Sequence, residues 1–188
     1  MNYIETNPDQ IISTLKNIVG ESRFYHCLGV AEEAQHLASR WGEQEDKLYL
    51  AGLLHDCARD LSPEELLPFL PPYLGEEVYS IPAIFHALAG PAIIEREFKI
   101  KDHKIWHAIR WHATSCEVMS KFDKILFIAD FCERGREFPA ALEIRELAEK
   151  DWEEAYRKVL QEKISFLLSQ GFLIYSSTWK AWNKENEK

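Results

Sequence analysis

An apolar run, Leu48 to Leu54, leads without interruption into His55 and Asp56. A chain that buries this run must also bury an imidazole and a carboxylate beside it. That is costly unless each is paired or binds a metal. Adjacent helical residues point about 100° apart, so both can touch one ion only if it sits beside the helix at that angle. A His-Asp pair by itself is commonly a surface pair or a satisfied core histidine. Its weight here comes from its company: His26 upstream, and His86, His112 and Asp130 downstream.

Helical periodicity runs through almost the whole chain. A segment opening at Pro8 sets Ile11, Ile12, Leu15, Ile18 and Val19 on one side and ends at Gly20. Ser22 is positioned to cap the next helix, which runs to about Trp41. There Cys27, Val30, Ala31, Ala34, Leu37, Ala38 and Trp41 share the apolar face. Arg23 falls inside that arc, His26 on its edge and His36 on the polar side. An inward Arg beside an inward His points to an anion or metal site more than to plain packing.

A third helix is expected over Gln44–Arg59. Ser62–Glu65 reads as a capping box opening a short helix, and Gly75–Ser80 as a loop. A helix resuming near Pro82 carries His86 and should kink or break at Gly90-Pro91. Asp102 caps a helix with three histidines. His103 and His107 share a face with Arg110 and nothing apolar, so that face is expected to be solvated despite its metal-compatible i, i+4 spacing. His112 lies opposite, with Ile105, Ala108 and Ile109. Ser120–Asp123 is a further capping box, opening a helix in which Asp130 interrupts an apolar run. A carboxylate there needs a cation or several donors; Arg134 and Arg136 are the alternative partners to a metal. Pro139 and Asp151 open two more helices, Gly171 ends the second, and the tail forms a turn and a last helix. No strand, repeat or linker is apparent, and the expected fold is a single all-α domain.

Length and composition narrow the function classes. The 188 residues, 46% of them hydrophobic, suffice for one sizeable core. No run approaches the roughly 20 apolar residues of a membrane span, and the acidic N-terminus is unlike a signal peptide. Four cysteines without a CxxC pair read as reduced thiols in a cytoplasmic protein. A net charge of -9 argues against a nucleic-acid polymer as partner. A small phosphorylated ligand stays compatible if metals and a few basic residues offset the charge locally.

Imidazoles and carboxylates without thiolates suit Fe, Mn or Zn. His26, His55, Asp56 and Asp130 would satisfy one ion. His86 and His112, with Asp56 bridging, would hold a second. Two ions about 3.5–4 Å apart can share a hydroxide and clamp a phosphoryl group.

The order His26, His55-Asp56, Asp130 resembles the H…HD…D signature of the HD-domain metal-dependent phosphohydrolases, and His86 and His112 resemble the extra ligands of their dinuclear members. More narrowly, RFYHCLGV, AGLLHDCARD, FHALAG, IRWHATS and IADFCERGR resemble the YqeK family in order. The resemblance implies a helical bundle of the HD type over residues 1–188. It implies a di-iron centre and symmetrical hydrolysis of diadenosine tetraphosphate to two ADP. It places Asp56 and Arg59 in catalysis, and Arg23, His26, Arg136, Ile174, Tyr175 and Thr178 at the substrate. Arg59 stands where family members often carry Lys, and HATS replaces a Thr-Gly ending after His112. The tail segment from Leu173 to Thr178 is either a lid over the nucleoside or a packing turn. A di-iron HD oxygenase and a non-catalytic nucleotide sensor are the rival readings. The basic residues flanking the site favour phosphate over the first, and the six inward ligand-type residues favour an enzyme over the second. Association into a homodimer stays open.

Overall fold

The computed structural model describes residues 8–187, and no strand occurs among them; the N-terminal residues 1–7, read above against a signal peptide, lie outside it. Helix α1 (Pro8–Ile18) buries Ile11 and Leu15. Helix α2 (Glu21–Trp41) buries the expected face, from Cys27 to Ala38. Its cap is not Ser22, which sits within the first turn. Gly20, in extended backbone, takes that position, and its N–H donates to Asp60 Oδ2 at 2.8 Å. Gly42, at φ +70°, ends the helix in the left-handed region.

Helix α3 (Glu45–Leu54) packs on α2 and is shorter than the sequence predicts. His55 to Asp60 form tight turns instead, with Cys57 bonded to Leu54 and Arg59 to Asp56. The cause is local. His55 Nδ1 donates to the Gly52 carbonyl at 2.7 Å, which a continuing α-helix would offer to the Asp56 N–H. The α2–α3 approach depends on Gly52: a Cβ there would lie 2.7 Å from Ala31 Cα and 2.9 Å from the Val30 carbonyl carbon.

The Ser62 capping box forms as expected and opens α4 (Pro63–Leu66). The expected loop is a 3-10 turn over Glu76–Ser80, followed by another over Pro82–Ile84. Helix α5 (Phe85–Phe98) runs through Pro91 without the break predicted at Gly90-Pro91. Its apolar sides, including Leu88, Ile93, Ile94 and Phe98, are buried, and that burial outweighs the single bond a proline ring removes. Asp102 caps α6 (His103–Trp111), accepting from the Lys104 and Ile105 N–H groups.

Helix α7 (Lys121–Cys132), opened by the Ser120–Asp123 capping box, is the centre of the fold. It packs against α2, α3, α6, α9 (Trp152–Ser169) and α8 (Pro139–Ala148). Being surrounded, it is apolar nearly all round, from Ile125 to Ala129. After Gly171, at φ +67°, the chain turns into α10 (Ser176–Glu185), which lies against α9.

Candidate metal centre and nucleotide site

The inward residues predicted from the sequence meet at one place. α2 brings His26, the turn after α3 brings His55 and Asp56, α5 brings His86, the end of α6 brings His112, and α7 brings Asp130. Asp56 Oδ1, His86 Nε2 and His112 Nε2 lie 3.3 Å from one another. On the other side, His26 Nε2 lies 3.3 Å and His55 Nε2 3.7 Å from Asp130 Oδ1. The second oxygen of Asp56 faces His55 Nε2 at 3.6 Å, so this carboxylate stands between the two groups.

These spacings fit metal ligands. Atoms about 2.1 Å from a shared ion sit roughly 3.0 Å apart in an octahedron and 3.4 Å in a tetrahedron. Moreover, His26 Nε2, His55 Nε2 and Asp56 Oδ1 are buried and lack hydrogen-bond partners, an arrangement that is costly without a cation.

The far ring nitrogens fix the tautomers. His55 and His112 both close a helix end and donate Nδ1–H to the carbonyl three residues back, Gly52 and Ile109, at 2.7 Å. His26 Nδ1 lies 3.3 Å from Glu133 Oε1. Each ring thus aims its Nε2 into the cluster. His86 differs, because Arg59 Nη1 donates to its Nδ1 at 2.9 Å. For His86 to offer Nε2 to an ion, that contact must open and Nδ1 take the proton.

Charges around the cluster are compensated. Arg23 Nη1 meets Asp56 Oδ2 at 2.6 Å. Arg136 lies 3.5 Å from Asp130 Oδ1, while Arg134 points away, 4.0 Å from Glu33. Burial would raise the Asp56 and Asp130 carboxyls. The imidazoles around Asp56, and Lys163 with His26 beside Asp130, hold both below the usual carboxylate range. Burial lowers the His55 pKa to about 4. Burial works against His26 as well, but Asp130 and Glu133 outweigh it and lift this ring to about 9.

Two site residues escaped the sequence reading. Lys163 Nζ lies 3.3 Å from Asp130 Oδ2 and donates to the His112 carbonyl at 3.0 Å. The signal was present: Lys163 falls in the inward arc of α9 with Val159 and Leu160. Glu133 orients His26 and accepts from the Gly135 N–H. It nests against α2 where a Cβ on Gly29 would sit 2.5 Å from its carboxylate. Nothing in the sequence separates it from its acidic neighbours.

Of the predicted tail residues, Tyr175 and Thr178 are buried and line a small cleft with Leu173, Ile84, Thr114 and Lys163. Ile174 instead packs partly against the core and does not line it. Ser115, in the HATS sequence, takes φ +61°, a conformation that favours glycine. Hydrogen bonds between its hydroxyl and Tyr156 and from Ser177 to its carbonyl hold it there, joining this loop to α9 and α10.

Residues 23–135 match the HD domain family. A Bacillus subtilis (strain 168) protein named bis(5'-nucleosyl)-tetraphosphatase, symmetrical, is 29% identical over 182 residues, covering 94% of this chain and 96% of its own. A protein of the same name from Halalkalibacterium halodurans is 31% identical over 180 residues, covering 95% and 96%. A crystal structure from Clostridium acetobutylicum, described as a predicted HD superfamily hydrolase involved in NAD metabolism, superposes with a TM-score of 0.92 at 33% identity, covering 96% of this chain and 97% of that one.

Proposed function

The chain belongs to the HD domain family, among relatives named symmetrical bis(5'-nucleosyl)-tetraphosphatases, and from that membership we propose that it hydrolyses diadenosine tetraphosphate to two molecules of ADP as one HD-type domain. The observation that carries the reading is the convergence of four imidazoles and two carboxylates at ligand spacing, with basic side chains on their rim.

His26, His55 and Asp130 would hold one metal ion and Asp56, His86 and His112 another, with Asp56 between them; iron is the first choice and Mn or Zn the alternatives. Bound there, the metals would supply hydroxide at neutral pH and neutralise phosphate charge. The protein's own residues do the positioning that phosphoryl transfer mainly requires. Arg23 and Arg136 each hold a cluster carboxylate with part of the guanidinium and have further N–H donors for phosphate oxygens. Lys163 balances Asp130 from the other side. Arg59 is exposed and bridges the Ala83 carbonyl and His86 Nδ1, a contact that would open when His86 offers Nε2 to an ion and so leave the guanidinium free for a phosphate oxygen. Tyr175 and Thr178 line a cleft for one nucleoside. Attack at a phosphorus next to the central bridging oxygen, with ADP leaving, gives two identical products.

No helix among the described residues is long and apolar enough to cross a membrane. The free thiols Cys27, Cys57, Cys116 and Cys132 support a reducing compartment, the cytoplasm. The test is metal analysis of the isolated protein together with product identification from diadenosine tetraphosphate. ADP as the sole nucleotide product is expected. AMP with ATP, consumption of oxygen, or no turnover by metal-replete protein would overturn the assignment.

A further inference from the structure

A substrate with two identical nucleosides, cut at its centre, must place one nucleoside on each side of the cluster. The cleft at Tyr175 and Thr178 accounts for one. Lys163 also borders a second, larger cleft of about 450 Å³ between α7, α8 and α9. Around α9, Glu162 and Phe166 fall on one side of Lys163, and Leu160 and Leu167 on the other. The first pair lines the second cleft and the other pair lines the first. The two clefts therefore flank a single ammonium that touches Asp130.

The second cleft is polarised along its length. Where it meets the cluster it holds Asp130, Arg136 and Lys163, two cations beside a cluster carboxylate. Its walls are the rings of Phe131, Phe138 and Phe166, the last two exposed to 40% and 59%. Cations at the cluster and aromatic faces elsewhere in the lining match a nucleoside diphosphate with its phosphates toward the cluster. Arg suits phosphate through its fork, and aromatic rings stack on any base. At the rim, the Glu162 carboxylate is an acceptor for ribose hydroxyls or an exocyclic amine.

We propose that this cleft seats the second nucleoside of the dinucleotide, with its phosphates at Arg136 and Lys163 and its base against Phe138 and Phe166. The inference rests on the tetraphosphatase reading above.

Steady-state kinetics of metal-replete Phe166→Ala, Phe138→Ala and Phe166→Trp with diadenosine tetraphosphate test it. Loss of one base–ring stack should raise KM roughly tenfold in each alanine variant, with a smaller effect on kcat. Phe166→Trp, which keeps a stacking face, should stay near wild type. Equilibrium dialysis should find two ADP bound per wild-type chain and one per Phe166→Ala chain. Unchanged KM and two bound ADP in folded, metal-replete alanine variants would overturn the proposal. So would variants whose only change is a shift in sedimentation, which would assign these rings to a subunit interface. If wild-type protein yields ADP alone and the variants behave like it, only the second seat fails. If wild type yields AMP and ATP, the tetraphosphatase reading fails with it.

Discussion

At the scale of single residues, the site separates histidines that look alike in sequence. His55 and His112 are buried with Nδ1 committed to a carbonyl, whereas His36 is exposed and pairs with Glu149 at the surface. Asp56→Ala should therefore abolish bound metal and hydrolysis together, while His36→Ala and His103→Ala retain both. Metal content by elemental analysis beside turnover checks this, and full occupancy in Asp56→Ala would contradict the ligand set. Arg136 is a different case. It touches the cluster only through Asp130 and Glu133 and keeps over a third of its side chain exposed. Arg136→Ala should leave metal bound but weaken ADP about ten- to a hundredfold, the effect of losing a charge-assisted hydrogen bond worth about 1.5–3 kcal/mol. Arg136→Lys should recover only part, since an ammonium lacks the two-pronged geometry. Titration calorimetry at matched metal occupancy measures both.

At the scale of elements, the metal-side geometry depends on how closely α3 approaches α2. Gly52 permits that approach and its carbonyl orients His55. Because the atoms a Cβ would meet are backbone, Gly52→Ala cannot be relieved by a side-chain rotation. It should cost about 1–3 kcal/mol, as overpacking does, and lower Tm by several degrees, read by thermal melting. The face of α6 expected to be solvated shows a tertiary tie: His107 Nδ1 lies 3.0 Å from Asp123 Oδ2, inside the capping box of α7. That carboxylate raises the His107 pKa from 6.5 to about 10. A raised folded-state pKa stabilises fully below about pH 6.5 and loses the gain as pH rises through about 10. With 40% of the side chain exposed, the contribution is about 0.5–1 kcal/mol after solvent screening. His107→Ala should thus be less stable than wild type at pH 6 and indistinguishable above pH 10 in urea unfolding.

For the whole molecule, a chain of net charge -9 holds its cationic side chains where an anionic ligand would sit: Arg23, Arg59, Arg136 and Lys163 ring the cluster. The cluster draws on α2, α5, α7 and the ends of α3 and α6, so an ion there ties most of the bundle together. An ion that binds only the folded state stabilises it by about 2.7 kcal/mol at a hundredfold excess over its dissociation constant. Removing metal with a chelator should lower the melting temperature, and adding back Fe, Mn or Zn should restore it to different extents. An unchanged melt with metal loss confirmed would show that Arg23, Arg136 and Lys163 already compensate the site.

The sequence by itself determined the all-α class, most helix starts and the inward residues. Those depend on period, capping residues and burial cost, all local properties of the chain. His26, His55, Asp56, His86, His112 and Asp130 were legible because each stands in or beside an apolar face where a polar group needs a partner. Only the tertiary structure decided whether the expected break at Pro91 occurs and what the inward residues touch. Helix α5 survives Pro91 because its surroundings bury it. Lys163 reaches Asp130 from α9, and Glu133 reaches His26 from the end of α7. These pairings join residues far apart in sequence, and no local pattern encodes which distant group packing will place within hydrogen-bond reach.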